Sequence, residues 1–275
     1  MSRAVSTWSL HRTLGNFVAP DSSVSGGRSK ELAATEGVTL LEVIPELAAR
    51  GYDTLHICHF HLASRDASYL ASVREALAAN GITLDCLLID DGDLTAPDAD
   101  IHRHEAWYGE WLDVAEAIGA RRVRIGAGRA APTPELLAQS GERLARLAAG
   151  HPGVRVVTEN WLEMTPDADS VLAVLEAAGD AVGLLIDLGN WTGSAKYVDL
   201  AKLAPRAETC HAKCHFSTAG PAVDDFRHSL SVLRDAGFDG PLALIYDGPD
   251  ADEWAGLDRE WEILTDVFVQ DAVSA

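Results

Sequence analysis

No apolar run in the sequence is long enough to span a bilayer, and the opening segment MSRAVSTWSLHR has neither the apolar stretch nor the small-residue cleavage site of a secretory signal. The expectation is a soluble, cytoplasmic chain. Cysteine is scarce. Cys58, Cys86, Cys210 and Cys214 fall in or beside predicted strands without metal-knuckle spacing, which reads as reduced, buried thiols rather than a disulfide framework or a zinc knuckle. Basic residues are outnumbered, 22 Lys and Arg against 42 Asp and Glu, for a formal net charge of −20. Such a field repels phosphate backbones and anionic lipid, so neither nucleic acid nor membrane is expected as a partner. It also makes a divalent cation easier to hold, although solubility explains an acidic surface equally well. Nucleotide-binding glycine loops are missing too. No GxGxxG or GxxxxGK[ST] follows a predicted strand, and Gly126–Ala127–Gly128 is too short to count.

What is present is a long alternation of short β-branched runs with helical patterns, the mark of parallel strands joined by helical crossovers. The first strand is predicted near Ala4–Leu10, followed by the Gly/Ser-rich stretch APDSSVSGGRSKELAATEG, expected to cover the mouth of the fold. Helix one, VTLLEVIPELAARG, is placed to end at Gly51. Strands then follow at TLHICHF, TLDCLLI, RRVRIGA, VRVVTEN, VGLLIDLG, ETCHAKCHF and PLALIYDG, each trailed by a helix, the last running through EWAGLDREWEILTDVFVQ. Eight such units in 275 residues, with no composition shift to mark a linker, predict one α/β domain over residues 1–275, a (β/α)8 barrel.

In such barrels the chemistry sits where strands pass into loops. Strand ends here are polar: His56, His59 and His61 on strand two, Asp90, Asp91 and Asp93 on strand three, Glu159 on strand five, Asp187 on strand six, His211 to His215 on strand seven, Asp247 on strand eight. Glu159 follows RVVT and Asp187 follows LLI, and a carboxylate in such apolar company needs a partner. One shared cation would serve both. With His211 the donor set is two carboxylates and an imidazole, suited to Mn²⁺, Mg²⁺ or Co²⁺, with Zn²⁺ also accommodated, and it leaves positions open for substrate oxygens. The competing reading is an ion-pair cluster with Lys213 or Arg155. The DDGD run at Asp90–Asp93 reads as a solvated loop. Trp107, Trp111, Trp254 and Trp261 read as helix packing, while Trp8, Trp161 and Trp191 read as pocket walls.

With these residues in place the chain resembles the xylose isomerase-like barrels, which include sugar phosphate isomerases and epimerases, ketose 3-epimerases and inosose dehydratases. The resemblance runs nearly end to end. GYDTLHI resembles the family's GFDGVEI pattern. TEN at Glu159, LLIDLGN at Asp187 and HAK at His211 fall at its metal-ligand positions, and AGFDGPLALIYDGP is similar to its stretch through strand eight. The resemblance implies a divalent metal on Glu159, Asp187 and His211, with Glu159 also a candidate base. Four positions depart. Ile245 stands where the family usually carries a fourth ligating Glu, and Asp247, two positions on, is the candidate replacement. Asn190 stands in place of the His of DxGH, Cys214 in place of the Asp of HxKD, and His56 in place of the strand-two Glu.

The expectation is therefore a metal-dependent isomerase or epimerase acting on a sugar or sugar-like polyol ketone. Glu159 would take the proton α to the carbonyl, the metal would stabilise the enediolate, and Asp247 would be the second acid. His56, His59, His61, Trp8, Trp161, Asn190, Lys213 and His215 are the expected substrate contacts. The rivals are a metal-dependent dehydratase on a related keto-polyol, with His215 or His59 protonating the departing hydroxyl, and a barrel that only binds a ligand. The superfamily's apurinic-site endonucleases are rejected on charge and on Asn190. Homo-oligomerisation is left open.

Overall fold

The strands predicted from the apolar runs pair in sequence order and close on themselves. In the computed structural model, which describes residues 1–15, 18–19, 30–31 and 37–269, the barrel strands are β1 (Ala4–Ser6), β2 (Thr54–Cys58), β3 (Thr83–Ile89), β4 (Arg122–Ile125), β5 (Arg155–Glu159), β6 (Gly183–Asp187), β7 (Ala207–Lys213) and β8 (Leu242–Ile245). All neighbours are parallel, and β1 closes the ring against β8. The helices are α1 (Leu40–Ala49), α2 (Ala67–Ala79), α3 (Asp98–Ile118), α4 (Pro134–Gly150), α5 (Ala168–Ala178), α6 (Ala195–Leu203), α7 (Val223–Asp235) and α8 (Glu253–Val269). The expected (β/α)8 barrel is what the chain forms. Among the described residues no helix is long and apolar enough to cross a membrane.

Local chemistry explains the boundaries. Thr39 and Glu42 form a reciprocal capping box at the start of α1. Leu40, Val43, Ile44 and Leu47 supply its buried stripe, and Gly51, at φ +81°, releases the chain toward β2. Thr133 caps α4 just before Pro134, whose fixed φ suits the first helical turn. Gly141 lets α4 sit tight on α5, since a Cβ there would lie 2.4 Å from the Val174 carbonyl oxygen. Two strands are shorter than expected. β1 stops at Ser6, whose hydroxyl accepts from the Trp8 amide and turns Thr7–Leu10 into a 3-10 turn. β2 stops at Cys58, and His59–His61 form a second such turn. The stretch expected to cover the mouth lies largely outside the described residues; of it the structure gives Ala19, which with Val18 before it pairs antiparallel with Lys30–Glu31, and Gly37.

The main apolar core lies between barrel and helices. Inside the barrel, Cys58, Cys86, Leu88, Val157 and Leu185 form a separate plug. All four cysteines are buried and free. Below the plug, a register shift after Leu55 leaves Asp85 as an extra residue in β3. Its carboxylate accepts from Thr209 (2.8 Å) and Arg122 and lies 3.0 Å from the His56 ring, all within the barrel. Burial opposes charge on Asp85, yet the bond from His56 and the charge of Arg122 outweigh it and bring the carboxyl down to about 2. Above the plug lies the polar mouth.

Candidate metal centre

Alternation along a strand decides which side chains enter the barrel. On β5 it sends Val157 and Glu159 inward, on β6 Leu185 and Asp187, and on β7 Thr209, His211 and Lys213. Asp187 and His211 are register partners across β6 and β7, so their side chains emerge together above the apolar plug. The three expected ligands meet. Their nearest donor atoms all lie within 4.8 Å of one another, and the residues are only 3 to 4% exposed. His211 Nδ1 stands 3.2 Å from Glu159 Oε1 and 3.5 Å from Asp187 Oδ2. Nitrogen and oxygen ligands about 2.0–2.2 Å from one ion sit roughly 3.0–3.5 Å apart, so these separations fit the edges of a coordination shell.

The surroundings aim the ligands. Asp187 Oδ1 accepts from the amides of Gly189 (2.6 Å) and Asn190 (2.8 Å), leaving Oδ2 to face His211. Asn160 clamps the Asp187 backbone, receiving its amide at 2.7 Å and donating to its carbonyl at 3.0 Å. Asn190 donates to Glu159 Oε1 at 3.1 Å. Glu159 Oε2 has no hydrogen bond, because its 2.9 Å contact with Arg124 Nε is off-axis; it is a buried anion with a lone pair to offer. Burial opposes ionisation of Asp187, but the His211 ring, the Lys213 charge and the Gly189 amide overcome it and lower its pKa. Burial likewise opposes charge on His211, and Glu159 with Asp187 reverse this, raising it. The two carboxylates attract positive charge to this point, whether a proton or a metal ion, and the buried Glu159–Asp187–His211 group could hold a metal ion.

The pocket over these ligands measures about 60 Å³ and is lined by Trp8, Leu88, Asp90, Arg124, Glu159, Trp161, Asp187, Asn190, His211, Lys213 and Ile245. Trp8, Trp161, Asn190 and Lys213 therefore stand where substrate contacts were expected. Asp247 does not join the cluster. Its Oδ2 lies 2.7 Å from Lys213 Nζ, and the short side chain stays at the rim, 32% exposed. Burial disfavours the Lys213 ammonium, but Asp187 and Asp247 hold it charged and raise its pKa.

Four histidines expected in the pocket are placed elsewhere. His56 is fully buried on Asp85, its ring 5.3 Å from that of His211 and outside the pocket lining. His59 accepts from the Asp90 amide and packs edge-on against Trp107 and Trp111. His61 bonds Thr7 at 2.8 Å. His215 lies beyond the end of β7, where its carbonyl accepts from the Ala222 amide. In each case a strand ends earlier, or a ring points lower, than the sequence pattern implied. The indole of Trp191 is engaged too, donating to the Thr165 carbonyl.

Sequence reasoning missed Arg124. It is 3% exposed, donates to Asp90 and to the Ile89 carbonyl, touches Glu159, and lies 4.6 Å over the Trp161 ring. Asp90 is correspondingly no solvated loop residue but a buried partner of Arg124. Nor does Arg155 approach Glu159; it pairs with Glu208. The alternation RVRI puts Arg122 and Arg124 on one face of the strand without saying which face turns inward.

A profile of the xylose isomerase-like TIM barrel family matches residues 44–263. No curated protein matches in sequence. Among solved structures, an L-ribulose 3-epimerase superposes with a TM-score of 0.72 at 17% identity, covering 100% of this chain and 99% of its own. A xylose isomerase-like TIM barrel protein from Mycobacterium smegmatis, in complex with magnesium, gives 0.66 at 16%, covering 98% of each chain. A probable 3-DHS dehydratase of petrobactin synthesis from Bacillus anthracis gives 0.66 at 13%, covering 96% of this chain and 99% of its own. Likeness at these identities is likeness of fold.

Proposed function

The chain belongs to the xylose isomerase-like TIM barrel family, and from that premise we propose that it is a divalent-metal-dependent isomerase or epimerase of a small hydroxy-carbonyl compound of sugar type. The observation that carries the reading is the convergence of Glu159, Asp187 and His211 on one point at the C-terminal mouth. The Mycobacterium smegmatis protein of the same fold, described with magnesium, supports a hard divalent ion such as Mg²⁺ or Mn²⁺, and the L-ribulose 3-epimerase supports sugar-type chemistry.

When bound, the ion polarises a carbonyl and steadies negative charge on the oxygens beside it. The chain's own residues do the rest. Trp8, Leu88 and Ile245 give the pocket an apolar wall. Asn190 and Arg124 fix the Glu159 carboxylate, whose Oε2 takes the proton α to the carbonyl. Returned by Glu159 to the neighbouring carbon, that proton gives isomerisation. Epimerisation needs a second acid on the other face, and Asp247, fixed at the rim by Lys213, takes that part. Elimination of a hydroxyl would want His59 or His215 as donor. Neither lines the pocket, whereas Asp247 stands at its rim on Lys213, which favours isomerisation by Glu159 first, epimerisation next and loss of water last.

The test is solvent exchange. Incubated with Mn²⁺ and a panel of ketoses in D₂O, the wild type should place deuterium at the carbon next to the carbonyl, and Glu159→Gln should slow this by about 10²–10⁴. Undiminished exchange in that variant would rule out the proton-transfer scheme.

A further inference from the structure

We propose that the substrate carries a carboxylate next to its hydroxy-carbonyl group, and that Lys213, tethered by Asp247, is the residue that receives it. This rests on the metal-assisted reading above and narrows its substrate class.

Lys213 is built into the pocket wall rather than strewn on the surface. It shares the inner face of β7 with His211, and its Cα partner on β8 is Ile245. Its stem lies across the end of β6 only because residue 189 is glycine: a Cβ there would come within 2.7 Å of Lys213 Cγ and 2.8 Å of Cδ. The ammonium has three N–H donors. Among the described residues Asp247 is its one ion-pair partner, at 2.7 Å, and the side chain is 17% exposed. Two donors therefore remain for the pocket, beside apolar Ile245 and Trp8, where a charge-assisted bond is stronger than in open water.

Charge and valence choose among anions. The lining carboxylates Asp90, Glu159 and Asp187, with Asp247 at the rim, face Arg124 and Lys213. Two negative charges are left over, which one divalent ion cancels. In that neutral pocket the wall at Ile245 offers no further anionic ligand, while the neighbouring ammonium still has donors to fill. A monoanionic carboxylate matches two donors. A phosphate, with more charge and more acceptors, would need a second cation, and the Arg124 guanidinium is already committed to Asp90, Ile89 and Glu159. A neutral polyol would fill the same two donors only with hydroxyls, without the strength of a charge-assisted bond.

Three inert three-carbon probes separate these cases: glycerate, glycerol and glycerol 3-phosphate, titrated into the Mn²⁺-loaded protein and followed by calorimetry and by water-proton relaxation of the bound Mn²⁺. A metal alone favours a hydroxy acid over a diol, so the decisive comparison is between variants. Lys213→Met should retain Mn²⁺, weaken glycerate about tenfold or more, and leave glycerol unchanged, while Lys213→Arg should restore most of the loss. An unaltered glycerate-to-glycerol ratio in Lys213→Met would overturn the assignment with the metal reading intact. Glycerol 3-phosphate binding more tightly than glycerate through Lys213 would overturn the carboxylate in favour of phosphate. Wild-type protein that takes up no Mn²⁺ would remove the metal reading and this inference together.

Discussion

Arg124 reaches from β4 to within 2.9 Å of Glu159 Oε2 while donating to Asp90, so one buried guanidinium serves two buried carboxylates at the mouth of the barrel. The pairing sets a fixed positive charge between two of the three carboxylates that line the pocket. It also divides labour. Arg124 offsets one part of the negative charge permanently, and Asp187 with His211 leaves the remainder for an exchangeable ion.

Replacing that guanidinium exposes the cost of the arrangement. Arg124→Met should lower unfolding free energy by about 3–5 kcal/mol, since removing one partner of a buried ion pair strands the others. Urea denaturation would measure it. Added Mn²⁺ should recover part of the loss by supplying charge to the same carboxylates. A variant as stable as wild type would show that Asp90 and Glu159 do not depend on Arg124.

Metal uptake should be stoichiometric and acid-sensitive. Elemental analysis should find one divalent ion per chain in the wild type and little in Asp187→Ala. Ligation needs the neutral His211 ring. Its pKa is raised, with burial opposed and outweighed by Glu159 and Asp187, so protons compete from above the usual histidine value of about 6.5. Affinity should be full at higher pH and fall as pH drops through that raised value, which metal titrations at a series of pH values would follow. Flat affinity across neutral pH would mean that His211 is no ligand.

How much of this was legible in the sequence follows from what each feature depends on. TEN and IDLG announced themselves because an acid closing an apolar strand must find a partner, and that argument is local; HAK joined them as the imidazole that completes the donor set. The barrel was legible for the same reason, through eight repeats of one pattern. Arg124 was not, because a charged residue in a short strand reads as outward until its neighbours on β3 and β5 are known. Asp85 was hidden more deeply: only the register shift between β2 and β3 turns it inward, and no run of residues encodes a pairing with another strand. Asp247 was expected at the metal by its face of strand eight. Two residues of extra rise and a shorter arm left it at the rim, where Lys213 claimed it.

The lower polar layer, carried by Asp85, supplies a stability test of its own. Asp85 titrates at about 2 in the folded barrel against an ordinary value of 3.8, because the bond from His56 and the charge of Arg122 outweigh its burial. A depressed folded-state pKa stabilises the fold at pH above the unfolded value. The contribution is lost as pH falls through 3.8 toward 2. The shift is worth roughly 2 kcal/mol, using about 1.4 kcal/mol per pKa unit. Denaturation midpoints between pH 5 and pH 2 should therefore fall more steeply for the wild type than for Asp85→Asn. That variant begins less stable, because Arg122 loses one of its two carboxylates and keeps only Glu208, but it has no carboxyl left at position 85 to protonate. Two curves of equal slope would place the source of acid sensitivity elsewhere and leave Asp85 as a hydrogen-bond acceptor alone.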